Sequence, residues 1–116
     1  MNRVIVAGHL GKDIDIRVGE RGVIEGEISI ALNDYIGNDG SGKAKYWTTW
    51  VTAVIFGERA RALQDAMYSG RFVTVGGQLR TVPYKVNETK TLQLTYIKVE
   101  DIDFDRTAVP KPQEHS

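Results

Sequence analysis

The sequence predicts an all-β fold, a five-stranded Greek-key barrel with one short helix between the third and fourth strands and two long hairpin arms. Three stretches carry that prediction. Residues 23–33 set Ile24, Gly26, Ile28, Ile30 and Leu32 against Glu25, Glu27, Ser29, Ala31 and Asn33, the period-2 pattern of a long antiparallel strand with one wet face. Residues 46–57 are β-branched and aromatic and close on Gly57, with Val51, Ala53 and Ile55 on one face and Trp50, Thr52, Val54 and Phe56 on the other. The first face is small enough for a tight barrel interior; the second is also apolar and needs an occupant of its own, whether a helix, another subunit or a flat ligand. Glu58–Met67 then carries Ala60, Leu63 and Met67 on one helical face, with Gly57 at its start and Gly70 beyond its end.

The remaining elements fit around these. Arg3–Leu10 is an apolar first strand ending in the turn Gly8–Gly11, which lacks the third glycine and the Lys-Ser/Thr ending of a phosphate loop. Ile14–Val18 alternates as a half-exposed strand or a continuation of the first, and Glu20-Arg21-Gly22 turns the chain. Asp34–Lys43, with Gly37, Gly40 and Gly42 among polar residues, reads as a flexible hairpin arm with Tyr35 and Ile36 at its base. Arg71–Arg80 is a strand expected to turn Val73, Val75 and Leu79 inward, bent at Gly76-Gly77. Thr81–Lys90 is the second arm, with Tyr84 and Lys85 near its start, and Thr91–Phe104 closes the fold through Leu92, Leu94 and Tyr96 and then, after a slip of phase, Ile102 and Phe104. Asp105–Ser116, with Pro110, Pro112 and no apolar period, is expected to be a disordered tail after a single domain of residues 1–104. Five main strands, a helix after the third and arms after the second and fourth describe an oligonucleotide/oligosaccharide-binding barrel, the OB-fold. An SH3-like barrel normally lacks the mid-chain helix, and half of a β-sandwich is the other competitor.

Composition narrows the chemistry. The absence of cysteine removes disulfides and Cys-based zinc sites and fits a reducing, cytoplasmic setting. The two histidines, His9 and His115, are far apart in sequence and suggest no metal site; no nucleophile, base and orienting acid can be aligned, so neither cofactor, metal nor catalysis is expected. The 15 basic and 15 acidic residues cancel, but unevenly: residues 1–97 hold 12 basic and 10 acidic groups, and residues 98–116 hold 3 and 5. A site for a polyanion is therefore expected away from the acidic run Glu100, Asp101, Asp103 and Asp105.

The opening Asn2-Arg3-Val4-Ile5-Val6-Ala7-Gly8-His9-Leu10-Gly11-Lys12-Asp13, the centre Thr49-Trp50-Val51-Thr52-Ala53-Val54-Ile55-Phe56-Gly57 and the segment Gly77-Gln78-Leu79-Arg80-Thr81 resemble the bacterial single-stranded DNA-binding protein family, in the same order and spacing over residues 1–104. That resemblance implies bases stacking on Tyr35, Trp50, Phe56 and Tyr84, all aromatic here, and a homotetramer built as a dimer of dimers with much of the dimer contact on the first strand. Stacking faces for bases and cations for phosphates are what an unpaired strand requires. The cations expected along its path are Arg3, Arg17, Lys43, Lys45, Arg80, Lys85 and Lys90.

The same residues admit plainer uses. Trp50 suits a subunit interface, Phe56 could pack beneath the helix, Tyr35 and Tyr84 could brace their own arms, and Trp47 and Tyr46 lie outside the family's stacking positions, with a cross-strand brace expected for Trp47. Val82 and Pro83 stand where the family usually has basic residues, and Glu58 replaces a frequent lysine, each thinning the electrostatic attraction. The sequence stops without the long linker and acidic tip by which family members recruit other proteins, so the expectation is a short form from a phage, plasmid or integrated element, a specialised paralogue or a trimmed chain, with that route to replication or recombination partners in doubt. The expected function is sequence-tolerant single-stranded DNA binding that protects the strand in replication, recombination and repair. The alternatives are a primosomal-type assembly module with secondary DNA binding and an RNA-binding OB module.

Overall fold

The computed structural model describes residues 1–105. All of the tail expected at 105–116 except Asp105 lies outside the described residues. Six strands and one short α-helix follow in the order β1 (Val4–Leu10), β2 (Asp15–Val18), β3 (Ile24–Asn38), β4 (Ala44–Phe56), α1 (Glu58–Ala62), β5 (Phe72–Lys85) and β6 (Thr91–Asp103), with a single 3-10 turn at Glu20–Gly22 between β2 and β3. The stretch at 14–18 is a separate strand, hydrogen-bonded to the first half of β3 from Asp15↔Glu27 to Val18↔Ile24.

The pairings close a ring. β1 runs antiparallel to β5, β5 to β6 and β4 to β3; β6 joins β4 in parallel at Ala53↔Ile97 and Val54↔Lys98; and β1 returns to β3 at His9↔Ala31 and Leu10↔Ile30. Five strands thus form the barrel, and β2 extends the sheet on one side. Closure needs a close approach of β1 to β3. A Cβ at Gly8 would overlap the Ala31 carbonyl, so only glycine lets the two backbones meet there. Gly77 serves the same purpose against the Lys98 carbonyl, beside the register shift in which Glu100 is the extra residue of β6.

The inward residues read from alternation fill the barrel. Ile28, Ile30, Ala53, Ile55, Val73 and Val75 are completely buried, with Ile97 and Val99 from β6. The small face Val51, Ala53 and Ile55 is the interior face of β4, as its side chains require. One inward assignment differs. Leu79 is exposed, as are Leu92 and Leu94 of the closing strand, because β5 and β6 leave the barrel as a two-stranded ribbon in which neither face has a core to meet. On β6 the buried pair is Ile97 and Val99, and the Glu100 bulge then restores Ile102 and Phe104 to the core side as half-buried contacts. The helix is also shorter than its apolar face suggested. Regular helix stops at Ala62, and tighter turns carry the chain on, where the amides of Ala66 and Met67 both donate to the Leu63 carbonyl. Met67 is pulled fully into the core there, and its carbonyl accepts from the Ile14 amide, tying this segment across the barrel's end.

The arms are ordered ribbons. The β3–β4 ladder continues from Glu25↔Phe56 to Asn38↔Ala44 with one bulge between Tyr35 and Gly37, so the first half of the segment expected to be a flexible arm, residues 34–38, is strand. Its turn is held by Asp39, whose Oδ1 accepts from the Ser41 hydroxyl at 2.6 Å and from the amides of Ser41 and Lys43 at 2.8 and 3.0 Å. The β5–β6 ladder reaches Lys85↔Thr91.

Candidate nucleic-acid interface

Alternation and register together decide which side chains share a surface. Residues directly opposite in a ladder point to the same side, and every second residue along a strand returns to it. On β4 the outward series is Tyr46, Thr48, Trp50, Thr52, Val54 and Phe56, and their partners on β3 are Tyr35, Asn33, Ala31, Ser29, Glu27 and Glu25. The parallel pair Val54↔Lys98 places Lys98 and Tyr96 of β6 on that side, and Leu94 and Leu92 follow at the same parity. Opposite these on β5 stand Gln78, Arg80, Val82 and Tyr84. The four stacking candidates, Tyr35, Trp50, Phe56 and Tyr84, therefore lie on one continuous face running from the first arm across the barrel wall to the second. Trp50 and Phe56 are six residues apart on a single strand, about 20 Å at 3.3 Å per residue.

Their surroundings differ. Trp50 is 61% exposed, and the benzenoid edge of its indole rests on Gly11, where a Cβ would collide with the ring. That edge is thereby held against the protein chain while the residue stays open. Tyr35 is 58% exposed; its hydroxyl donates to Asn38 Oδ1 at 2.7 Å and its ring meets the edge of Tyr46 at 5.9 Å. It is at once a brace of its arm and an accessible ring. Tyr84 is 53% exposed at the ribbon's distal half, opposite Leu92. Phe56 is half-buried, but against the Tyr96 ring at 6.4 Å and not beneath the helix. Part of the second occupant that the outer face of β4 demanded is thus β6 itself, which also buries Val54.

The cations sort less evenly. Arg80 stands on the aromatic face opposite Tyr96, its guanidinium donating to Gln78 Oε1 at 3.1 Å. Lys43 and Lys90 sit in the two arm turns, and Lys45 and Lys85 lie on the ribbon sides opposite Tyr46 and Tyr84, all exposed. Arg3 and Arg17, expected to meet phosphate, already have carboxylate partners. Arg3 Nη2 lies 2.9 Å from Asp101 and Nη1 3.7 Å from Glu100, while Arg17 bridges Glu25 at 3.3 Å and Glu27 at 3.1 Å. Hydrogen bonds to Asp101 and to Glu25, respectively, raise the pKa of each guanidinium. In both places two acids face one base, so the local charge is net negative and the attraction for phosphate is offset.

Three residues that the sequence reading left out belong to this face. Tyr46 was set aside for position, although its even spacing from Trp50 already gave its side; Tyr96 shares the parity of Leu92 and Leu94; and Lys98 needed the β4–β6 pairing to be placed. Trp47, 65% exposed, points to the other side of the arm. Among the described residues, no cluster of three or more His, Cys, Asp or Glu side chains forms a metal site. No helix there is long and apolar enough to cross a membrane.

Residues 1–105 match the sequence profile of the single-strand binding protein family. Among curated proteins, the chain is 30% identical over 104 residues to a single-stranded DNA-binding protein of Bacillus cereus, covering 90% of this chain and 59% of that protein. A single-stranded DNA-binding protein of Oceanobacillus iheyensis is 29% identical over 108 residues, with 92% of this chain and 65% of the relative covered. The chain thus spans about three-fifths of the length of the curated relatives it matches. Among solved structures, a Plasmodium falciparum single-stranded DNA-binding protein in complex with single-stranded DNA superposes with a TM-score of 0.73 at 26% identity, covering 90% of this chain and 94% of that one. A deletion mutant of the Thermus aquaticus single-stranded DNA-binding protein shares the fold at a TM-score of 0.72 and 21% identity, covering 92% of this chain and 51% of that one. The profile match, which spans the whole barrel, makes this chain a member of the single-strand binding protein family.

Proposed function

We propose that this protein binds single-stranded DNA with little regard to sequence, stacking bases on Tyr35, Trp50, Phe56 and Tyr84 and neutralising phosphates with Lys43, Lys45, Arg80, Lys85 and Lys90. It acts by holding the strand, not by turning it over, and protects unpaired DNA in the cytoplasm during replication, recombination and repair. The observation that carries this reading is the set of four accessible or half-accessible rings on one face of a continuous sheet. Each base-aromatic stack is worth about 1–3 kcal/mol by substitution, enough for stacking to make up for a chain without net charge. Arg3 and Arg17 contribute least, because acids already hold them.

The working unit is a homotetramer, a dimer of dimers joined through the first strand. Ile5 is exposed on the outer face of β1, and four residues along the same face the His9 and Phe72 rings meet edge to face at 5.0 Å, a surface suited to a second copy. The test is a fluorescence titration with oligo-dT at two salt concentrations, alongside light scattering for subunit number. Trp50 emission falls on binding, affinity declines with salt at a log-log slope of about 0.7 per phosphate contacted, and each of Lys43→Ala and Lys85→Ala lowers that slope by about 0.7. Salt-independent binding that survives Trp50→Ala defeats the reading, and a strong preference for oligo-rU over oligo-dT moves it to RNA.

A further inference from the structure

Asn2 lies ahead of β1, yet it continues the register of β1 on β5. The last rung between those strands is Val4↔Gly77, and the next position of the same kind sets Asn2 opposite Leu79. There the side chain takes over from the backbone. Asn2 Nδ2 donates to the Leu79 carbonyl at 2.9 Å, and the Leu79 amide donates to Asn2 Oδ1 at 2.9 Å. A carboxamide carries the donor and the acceptor of a peptide group, so this pair reproduces the two reciprocal bonds of an antiparallel rung. Arg3 reaches one strand further. Its guanidinium crosses β5 over Gly76, where a Cβ would stand 2.9 Å from Nη2, to meet Asp101 and Glu100 on β6. Those ion pairs are exposed and screened by salt, whereas the Asn2 clasp is uncharged.

The clasp sits where the second arm leaves the barrel. Leu79 pairs with Ile97, and Ile97 in turn pairs with Ala53 of β4. From the next rung, Arg80↔Tyr96, out to Lys85↔Thr91, β5 and β6 pair only with each other among the described residues. Asn2, Leu79, Ile97 and Ala53 therefore form one row across the root of the arm. On one side the root is tied to β4 by strand pairing; on the other it is tied by the Asn2 side chain. Tyr84 stands five residues beyond Leu79, about 17 Å at 3.4 Å per residue, so a tilt of about 10° at the root carries its ring about 3 Å. A stack made at van der Waals distance does not survive a displacement of that size.

We propose that Asn2 is a positioning residue for single-stranded DNA: it touches no nucleotide, and its clasp on Leu79 sets the direction in which the second arm presents Tyr84. The proposal rests on the single-stranded DNA reading above, and its test separates the two. Two variants of the full chain are compared with the wild type. Asn2→Leu keeps the size of the side chain without donor or acceptor, and Asn2→Asp keeps the acceptor but sets a carboxylate oxygen against the Leu79 carbonyl. Oligo-dT affinity, the urea midpoint and backbone amide order parameters are measured for each. The expected result is about fivefold weaker oligo-dT binding in both variants, the low end of what one base stack is worth. Order parameters fall at residues 80–85 and 91–96, while those of the first arm and the barrel, and the urea midpoint, stay where they are. In a Tyr84→Ala background Asn2→Leu costs less than about twofold, because the ring it positions is gone. Unchanged affinity in both variants, or a loss of the same size with and without the Tyr84 ring, overturns the positioning role and leaves DNA binding standing. If the wild type binds no oligo-dT, the DNA reading falls, and ribbon order parameters unchanged in the variants overturn the clasp as well.

Discussion

The same two strands behave as core at one end and as open surface at the other. Between Ile24 and Ile30, β3 buries every second side chain, and β4 opposite it buries Ala53 and Ile55. A few residues further along the same ladder, at and before its one bulge, Tyr35, Ile36, Tyr46 and Trp47 are exposed on both sides of the ribbon. Backbone pairing is alike in both regions, and so is the content of apolar residues. The difference is the second layer: the barrel wraps its inner face around itself, whereas the arms project beyond it, and among the described residues no further element covers them. An isolated two-stranded hairpin is marginal in water, so the arms depend on the barrel for their register while lending it few packing contacts. Folding energy is concentrated at one end of each strand, and the exposed aromatic surface at the other end is left for a ligand.

That division is open to direct attack, and the largest effect is expected in the barrel. Ile55→Ala removes a completely buried side chain and should cost about 2–5 kcal/mol of stability, read as a lower denaturant midpoint, while the protein that remains folded binds oligo-dT as before. Tyr84→Ala should do the reverse. Its ring sits on the arm, so the midpoint scarcely moves, and the loss of one stack weakens oligo-dT binding by about 1–3 kcal/mol. Should Tyr84→Ala lower the midpoint as much as Ile55→Ala does, the arms are structural members of the fold and the division fails.

The barrel was legible because burial acts on parity. In β3 and β4, one face of a period-2 pattern had to meet a core, and Ile28, Ile30, Ala53 and Ile55 do so. In the arms the same parity carries no such instruction, which is why Leu79, expected to turn inward, is exposed, as are Leu92 and Leu94. The four candidate stacking residues came from family resemblance; what alternation added was the side each occupies, and it would have placed Tyr46 with them. The charge pattern was the least legible part. Arg3 meets Asp101 across 98 positions of sequence, and Arg17 meets Glu25 and Glu27 only because β2 folds back on β3 in one particular register. Charge counts along a chain cannot anticipate pairings that the fold alone creates.

The smallest expected effect lies at the tip of the first arm and sharpens the same contrast. The Ser41 hydroxyl, followed by the amides of Lys43 and Ser41, holds the Asp39 carboxyl below its ordinary pKa of 3.8. Because the closed turn binds a proton less readily than the open one, its added stability is whole at pH values above the open-turn pKa and is lost as pH falls through the lower, closed-turn value. Amide resonances of Ser41 and Lys43 should therefore move below about pH 4 while those of Ile28 and Ile55 stay fixed. In Asp39→Asn the side-chain oxygen still accepts these bonds but no longer titrates, so the acid-dependent shift should vanish. If barrel and turn resonances move together in the wild type, the arm is not a separately responsive unit, and the tip and the core share one cooperative transition.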